Sequence, residues 1–207
     1  MNIIPNVNWS PLELSLLVGH NGAGKTRLLR QMSPSSLYDG RSMYELLEER
    51  LSSWRTEDPY KWDWVMRHAK LAFPKCPFDK VEESILLGER MYPAGVLNGL
   101  ANLTAVIDTP HYSNMAIDDF GDRLDPHATM QILQAMQDLA DVDAHSLAVV
   151  LATNSIAALD YFSKAGLHDQ VYLLKEEWSE PVCVTSIHSP EWLAQASLAT
   201  LYMQGRL

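Results

Sequence analysis

Residues 19 to 26 read Gly-His-Asn-Gly-Ala-Gly-Lys-Thr, a match to the pattern G-x-x-x-x-G-K-[ST]. Few eight-residue stretches constrain a fold so tightly, because this pattern works only where a strand feeds the turn and a helix leaves it. Both flanks are present. Leu12 to Val18 reads Leu-Glu-Leu-Ser-Leu-Leu-Val, alternating and then continuously apolar, as suits a strand, and Thr26 to Met32 predicts a helix. Gly22 and Gly24, with the small Ala23 between them, let the backbone curl so that successive N–H groups point inward at phosphate oxygens. Lys25 supplies a full positive charge for β- and γ-phosphates, and Thr26 offers a hydroxyl to Mg²⁺. Asn21 and Arg27 flank these residues and complete the candidate contact set, and the helix that follows aims the positive end of its dipole at the anion. The residue types predict a nucleoside triphosphate ligand.

The rest of the chain alternates helical and strand patterns. Ser33-Pro34-Ser35-Ser36 ends the first helix. Met43 to Trp54 carries apolar residues at spacings of three and four, and Tyr60 to Phe73 predicts a second helix before Pro74 and Pro77. Trp54, Trp62 and Trp64 invite a base-stacking or partner surface, but aromatic residues at helical spacing favour core packing. Ser84 to Leu100 predicts a helix running on to Leu103 or Ile107. Asn114 to Asp119 reads as a short strand ending in two acids, followed by a turn at Leu124-Asp125-Pro126 and a helix from His127 to Val142. Ser146 to Ala152 reads as a fully buried strand and Ser155 to Ser163 as a helix. Val171 to Leu174 and Val182 to Ile187 read as two more strands, and Pro190 to Met203 as a closing helix. Such alternation predicts an α/β fold with a mostly parallel sheet flanked by helices, and ligands in such sheets sit at the carboxyl ends of the strands.

A length of 207 residues suits a single domain over 1–207, with 37–80 as a helical insertion. No stretch approaches the ~18 apolar residues of a membrane span, and the first residues lack the features of a signal peptide, so the chain reads as cytoplasmic with no membrane partner. Its two cysteines, Cys76 and Cys183, have no metal-like spacing and read as free thiols. The net charge of −10 opposes a broad, sequence-independent grip on nucleic acid by this chain alone, while leaving room for a local basic patch.

Taken in order, the glycine-rich turn, Ile117-Asp118-Asp119-Phe120-Gly121-Asp122-Arg123-Leu124-Asp125-Pro126 and Leu151-Ala152-Thr153-Asn154-Ser155 resemble the motifs of ABC-type P-loop ATPases of the SMC and OLD-like group. The resemblance implies ATP and Mg²⁺ as ligands. It makes Asp118 the Walker B acid that holds Mg²⁺ together with Thr26. Asp108, which also follows an apolar run, is the competing candidate. Asp119 stands where the family has the glutamate that activates water, one methylene shorter. Asn154 stands where a switch histidine contacts the γ-phosphate; it donates a hydrogen bond but carries no proton or charge. Ile85-Leu86-Leu87-Gly88-Glu89 is the stretch closest to the family signature, with Leu86 in place of its serine, and no glutamine lies between Gln31 and Gln131 to serve as the Q-loop residue. Lys25, Asp119 and Asn154 are thus the candidate catalytic residues.

Two readings follow. In the first the chain is a slow ATPase whose nucleotide gates a homodimer or a heterodimer with another ATPase subunit. The resemblance implies a DNA-acting or anti-phage effector, such as a nuclease, as a further partner. In the second it is a nucleotide-dependent scaffold without meaningful turnover. A transporter nucleotide-binding subunit is a third reading, opposed by the degenerate signature and the missing glutamine.

Overall fold

The strand predicted ahead of the glycine-rich turn forms as β1, Leu14–Val18, with all five residues buried. A computed structural model of the chain describes residues 14–32, 36–78, 93–110, 113–140, 148–175, 180–195 and 197–207. Within these, β1 is joined by β2 (Ser36–Tyr38), β3 (Asn114–Ile117), β4 (Ala148–Thr153), β5 (Val171–Leu173) and β6 (Val182–Cys183). They form a six-stranded sheet in the order β2-β3-β4-β1-β5-β6. Every pairing is parallel except β5 with β6. A parallel strand covered on both faces must be apolar along its length, which explains the unbroken runs in β1 and β4.

The period of two sorts those runs onto the two faces. Leu14, Leu16 and Val18 of β1, Met115 and Ile117 of β3, and Val149 and Leu151 of β4 join the larger core. That core packs against α2 (Gly40–Glu57), α3 (Pro59–Ala72), α4 (Ala94–Asp108), α5 (Pro126–Ala140) and α6 (Ile156–Lys164). Leu17, Ala116, Val150 and Ala152 face the other way and meet Leu28 and Leu29 of α1 (Lys25–Gln31). Small alanines on this face let α1 lie close to the sheet, so the turn before it stays near the strand ends.

Side-chain caps fix where several helices start. Asp58 accepts from the Lys61 N–H at 3.3 Å with Pro59 at the first position of α3, and Asp125 accepts from the Ala128 N–H at 2.9 Å ahead of Pro126. The three tryptophans of α2 and α3 are buried in the larger core. Asp108, read as a possible strand-end acid, instead lies at the end of α4. There it pairs with Arg50 Nε at 3.0 Å and Lys61 Nζ at 3.5 Å, tying α2 and α3 to α4.

Three local expectations are corrected. Ser36–Tyr38 is an edge strand where helical structure is expected from Leu37; its three residues are too few to show a period. Only Val182–Cys183 of the predicted strand Val182 to Ile187 is extended. Val184–Ile187 turns into a short helix, α7, with Val184 buried, so tertiary packing overrides the β-branched composition. The closing helix is two pieces, α8 (Pro190–Gln195) and α9 (Leu198–Met203), because Ser197 accepts from the Thr200 N–H at 3.4 Å and starts a new helix. The signature-like stretch Ile85 to Glu89 and the start of the helix predicted from Ser84 lie outside the described residues.

Candidate functional site

The turn between β1 and α1 has the shape its glycines predict. Ala23 N–H donates to His20 O at 3.1 Å, and both Gly22 (φ 86°) and Gly24 (φ 92°) are left-handed, a conformation side-chain-bearing residues rarely adopt. Ala23 is buried in the smaller core, Gly24 and Arg27 are half-buried, and Asn21, Gly22 and Thr26 are exposed. The turn therefore presents Asn21, Gly22 and Thr26 to solvent from a buried footing.

Lys25 is only 7% exposed, and its ammonium is held from three sides. Nζ donates to Gly19 O at 2.6 Å, to His20 O at 3.3 Å and to Asn154 Oδ1 at 2.8 Å. The last contact follows from register. Val18 pairs with Thr153, so the residues just beyond each strand end, Gly19 and Asn154, emerge side by side. The Asn154 amide also donates through Nδ2 to Asn21 Oδ1, so one carboxamide links Lys25 to Asn21. Burial lowers the Lys25 pKa, while the nearby negative charges of Asp119 and Asp118 act to keep it charged.

The two acids lie at the end of β3. Asp118 is 7% exposed; its N–H donates to Tyr38 O at 2.9 Å, and its Oδ1 accepts the Asp119 N–H at 3.1 Å. Asp119 is left-handed at φ 54°, which turns the chain and carries its side chain into the mouth of the site. Its pKa is raised by burial first, then by Asp118 and Asp122, with Lys25 offsetting part of the rise.

Residues without a role in the sequence reading hold this corner together. Thr153 Oγ1 donates to Phe120 O at 2.5 Å and accepts from the Ser155 N–H at 2.8 Å, and Phe120 N–H donates to Ala152 O at 2.8 Å. Gly121 is left-handed at φ 82°, and a Cβ there would come within 2.9 Å of Ser155 Cβ. The turns after β3 and β4 are thereby stitched into one wall. A cavity of about 410 Å³ opens in front of it, lined by Asn21, Asp119, Gly121, Asp122, Arg123 and Asn154, together with Phe120 and Ser155. Position in the quoted motif stretches was the only sequence signal for Thr153, Gly121 and Arg123.

Among the described residues no group of three or more His, Cys, Asp or Glu side chains is arranged to hold a metal by itself. Mg²⁺ does not need one. In triphosphate sites it takes one or two protein oxygens and completes its shell with phosphates and water. The Thr26 hydroxyl and the Asp118 carboxylate are hard oxygen donors of that kind, so the residues present fit the ion.

A strand, a left-handed glycine turn and a helix opening on a buried lysine, placed at the centre of a mostly parallel sheet flanked by helices, define an α/β fold of the P-loop NTPase class. Among solved structures the chain is similar to one described as "Structure of ATP binding subunit of ABC transporter", at 18% identity and a TM-score of 0.49, covering 93% of this chain and 87% of that one. The reading of the site rests on its residues. No family model matches the chain, and no curated protein matches it. No helix among the described residues is long and apolar enough to cross a membrane.

Proposed function

We propose that the chain binds Mg·ATP and hydrolyses it slowly, using nucleotide as a switch for dimerisation with a second copy or with another ATPase subunit. The observation that carries this reading is the convergence on one ammonium: Lys25, at the head of the glycine turn, bonds Asn154 from the neighbouring strand and lies within electrostatic reach of Asp118 and Asp119. Backbone N–H groups of Asn21, Gly22, Gly24 and Lys25, together with the Lys25 charge, would receive the phosphates. Thr26 and Asp118 would hold Mg²⁺, which when bound neutralises phosphate charge. Asp119 would accept a hydrogen bond from the attacking water and orient it, and Asn154 Nδ2 would exchange its bond to Asn21 for one to the terminal phosphate. Bonds made only while that phosphate is present favour the closed state until it is lost.

A second reading, a nucleotide-dependent scaffold with no turnover, draws on the same corner. Asp119 reaches one methylene less far than glutamate, and a misplacement near an ångström costs on the order of a hundredfold in rate. Asn154 is also tied between Lys25 and Asn21. In either case the motif order, by resemblance, suggests a DNA-acting or anti-phage effector as partner, and the charge of −10 suggests that such a partner, rather than this chain, makes broad contact with nucleic acid.

Steady-state phosphate release from the purified chain with Mg·ATP, run beside size-exclusion chromatography with and without nucleotide, separates the readings. Lys25→Ala serves as the blank. Turnover above the blank with an ATP-dependent dimer supports the switch. Tight binding without turnover moves the assignment to the scaffold, and wild-type binding by Lys25→Ala overturns both.

A further inference from the structure

We propose that Arg123 is a γ-phosphate-binding residue of this chain, a second cation acting opposite Lys25. The inference deepens the nucleotide-binding reading and rests on it. Three observations lead to it.

The first is charge. The cavity, which Asn21 borders from the glycine turn, is lined by two carboxylates, Asp119 and Asp122, and Arg123 is the only lysine or arginine among the described residues that line it. The terminal group of a triphosphate entering this space meets like charge from both acids. Lys25 sits on the turn side with its ammonium hydrogens already directed to Gly19, His20 and Asn154. A planar guanidinium suits the task, because it pairs bidentately with phosphate oxygens and stays charged at any working pH.

The second is backbone. Arg123 is left-handed at φ 62°, a conformation uncommon for arginine, and it is held there from both ends. Asp122 N–H donates to Asp119 O at 3.1 Å, and Leu124 N–H donates to Gly121 O at 3.2 Å. On the outer side the Arg123 carbonyl lies against Gly95 in the first turn of α4, where a Cβ would come within 2.5 Å of the oxygen. An unfavourable backbone conformation enforced from several directions is characteristic of sites where a side chain must be aimed.

The third is freedom. The guanidinium is engaged by Asp122, Nε to Oδ2 at 3.4 Å, and the two side chains are 61% and 64% exposed. Such a solvent-screened pair is weak, so exchanging it for a phosphate costs little.

The test compares affinities of wild type, Arg123→Ala, Arg123→Lys and Asp122→Asn for ADP and for a non-hydrolysable ATP analogue, each with Mg²⁺, after thermal melts confirm folding. Arg123→Ala is expected to lose about tenfold or more in analogue affinity with ADP affinity unchanged. Arg123→Lys is expected to fall between the two, and Asp122→Asn to bind the analogue more tightly than wild type. Equal losses for both nucleotides, or no loss for either, would overturn the assignment; if Arg123→Ala does not fold, the Lys and Asn variants carry the same discrimination. Lys25→Ala, run in parallel, separates the two levels. If it abolishes binding of both nucleotides while Arg123→Ala changes neither, only the role of Arg123 fails; if Lys25→Ala binds both as wild type does, the nucleotide reading itself fails.

Discussion

At the level of single residues, Asp119 shows how backbone and chemistry constrain each other. Its φ of 54° is a left-handed conformation in which aspartate and asparagine are several-fold enriched among residues other than glycine. Glutamate at this position would extend the carboxylate but fit that backbone less well, so the short arm is consistent with the local turn. The carboxylate also carries a cost. Its folded pKa is raised by burial, then by Asp118 and Asp122, so the folded state binds its proton more tightly than the unfolded state does. Stability from this group is fully present below the ordinary value of 3.8 and is lost as pH rises through the raised folded value. Asp119→Asn is therefore expected to melt higher than wild type in chelator-treated, nucleotide-free protein near neutral pH. The difference should shrink as pH falls toward about 4. The same variant is expected to lose phosphate release, and a melting curve unchanged at neutral pH would refute the electrostatic account. The identity of this acid pair was legible in the sequence as two carboxylates after an apolar run, whereas its conformation was not, because aspartate, though enriched in the left-handed region, adopts it in a small minority of cases, and arginine at 123 carries no such signal.

Elements matter here chiefly at their ends. The turns after β3 and β4 share the Thr153 hydroxyl, which donates to Phe120 O and accepts from the Ser155 N–H while itself 1% exposed. Thr153→Val keeps the shape and removes both bonds, leaving the half-buried Ser155 N–H and the buried Phe120 C=O without that partner. A loss of about 1–3 kcal/mol in stability is expected from denaturant melts. Turnover should fall further than the melt implies, because Asp119 and Asn154 sit at the two turns that Thr153 joins; a melt shifted with activity intact would mean the stitch is structural only. Long periodic or capped stretches were readable beforehand. The helices around Met43 to Trp54 and Tyr60 to Phe73 carry their spacing in the apolar residues, and Asp125-Pro126 marks a helix start. Ser36–Tyr38 was not readable, since three residues pairing at a sheet edge have no period to show. Nor was the break at Ser197, where one hydroxyl outweighs a continuous helical pattern.

For the whole molecule, the strand order decides which parts move together. β1 is paired on both sides, along its full length with β4 and at Leu16 to Val18 with β5, so its amides should be among the slowest to exchange with deuterium. Nucleotide is expected to slow exchange further at residues 19–26 and 119–125 while leaving α3 unchanged; protection spread evenly over the chain would point to general stabilisation instead. The same pairing has a consequence for order of assembly. Leu14 takes Val149 as its neighbour and Leu16 takes Val171, so the strand that sets the turn waits for partners from distant parts of the chain. Contacts of such wide separation form late, after their loop-closure entropy has been met. The segment 19–26, early in the sequence, would thus be late to take its working shape, and the onset of nucleotide affinity during refolding would report that the sheet has closed around β1.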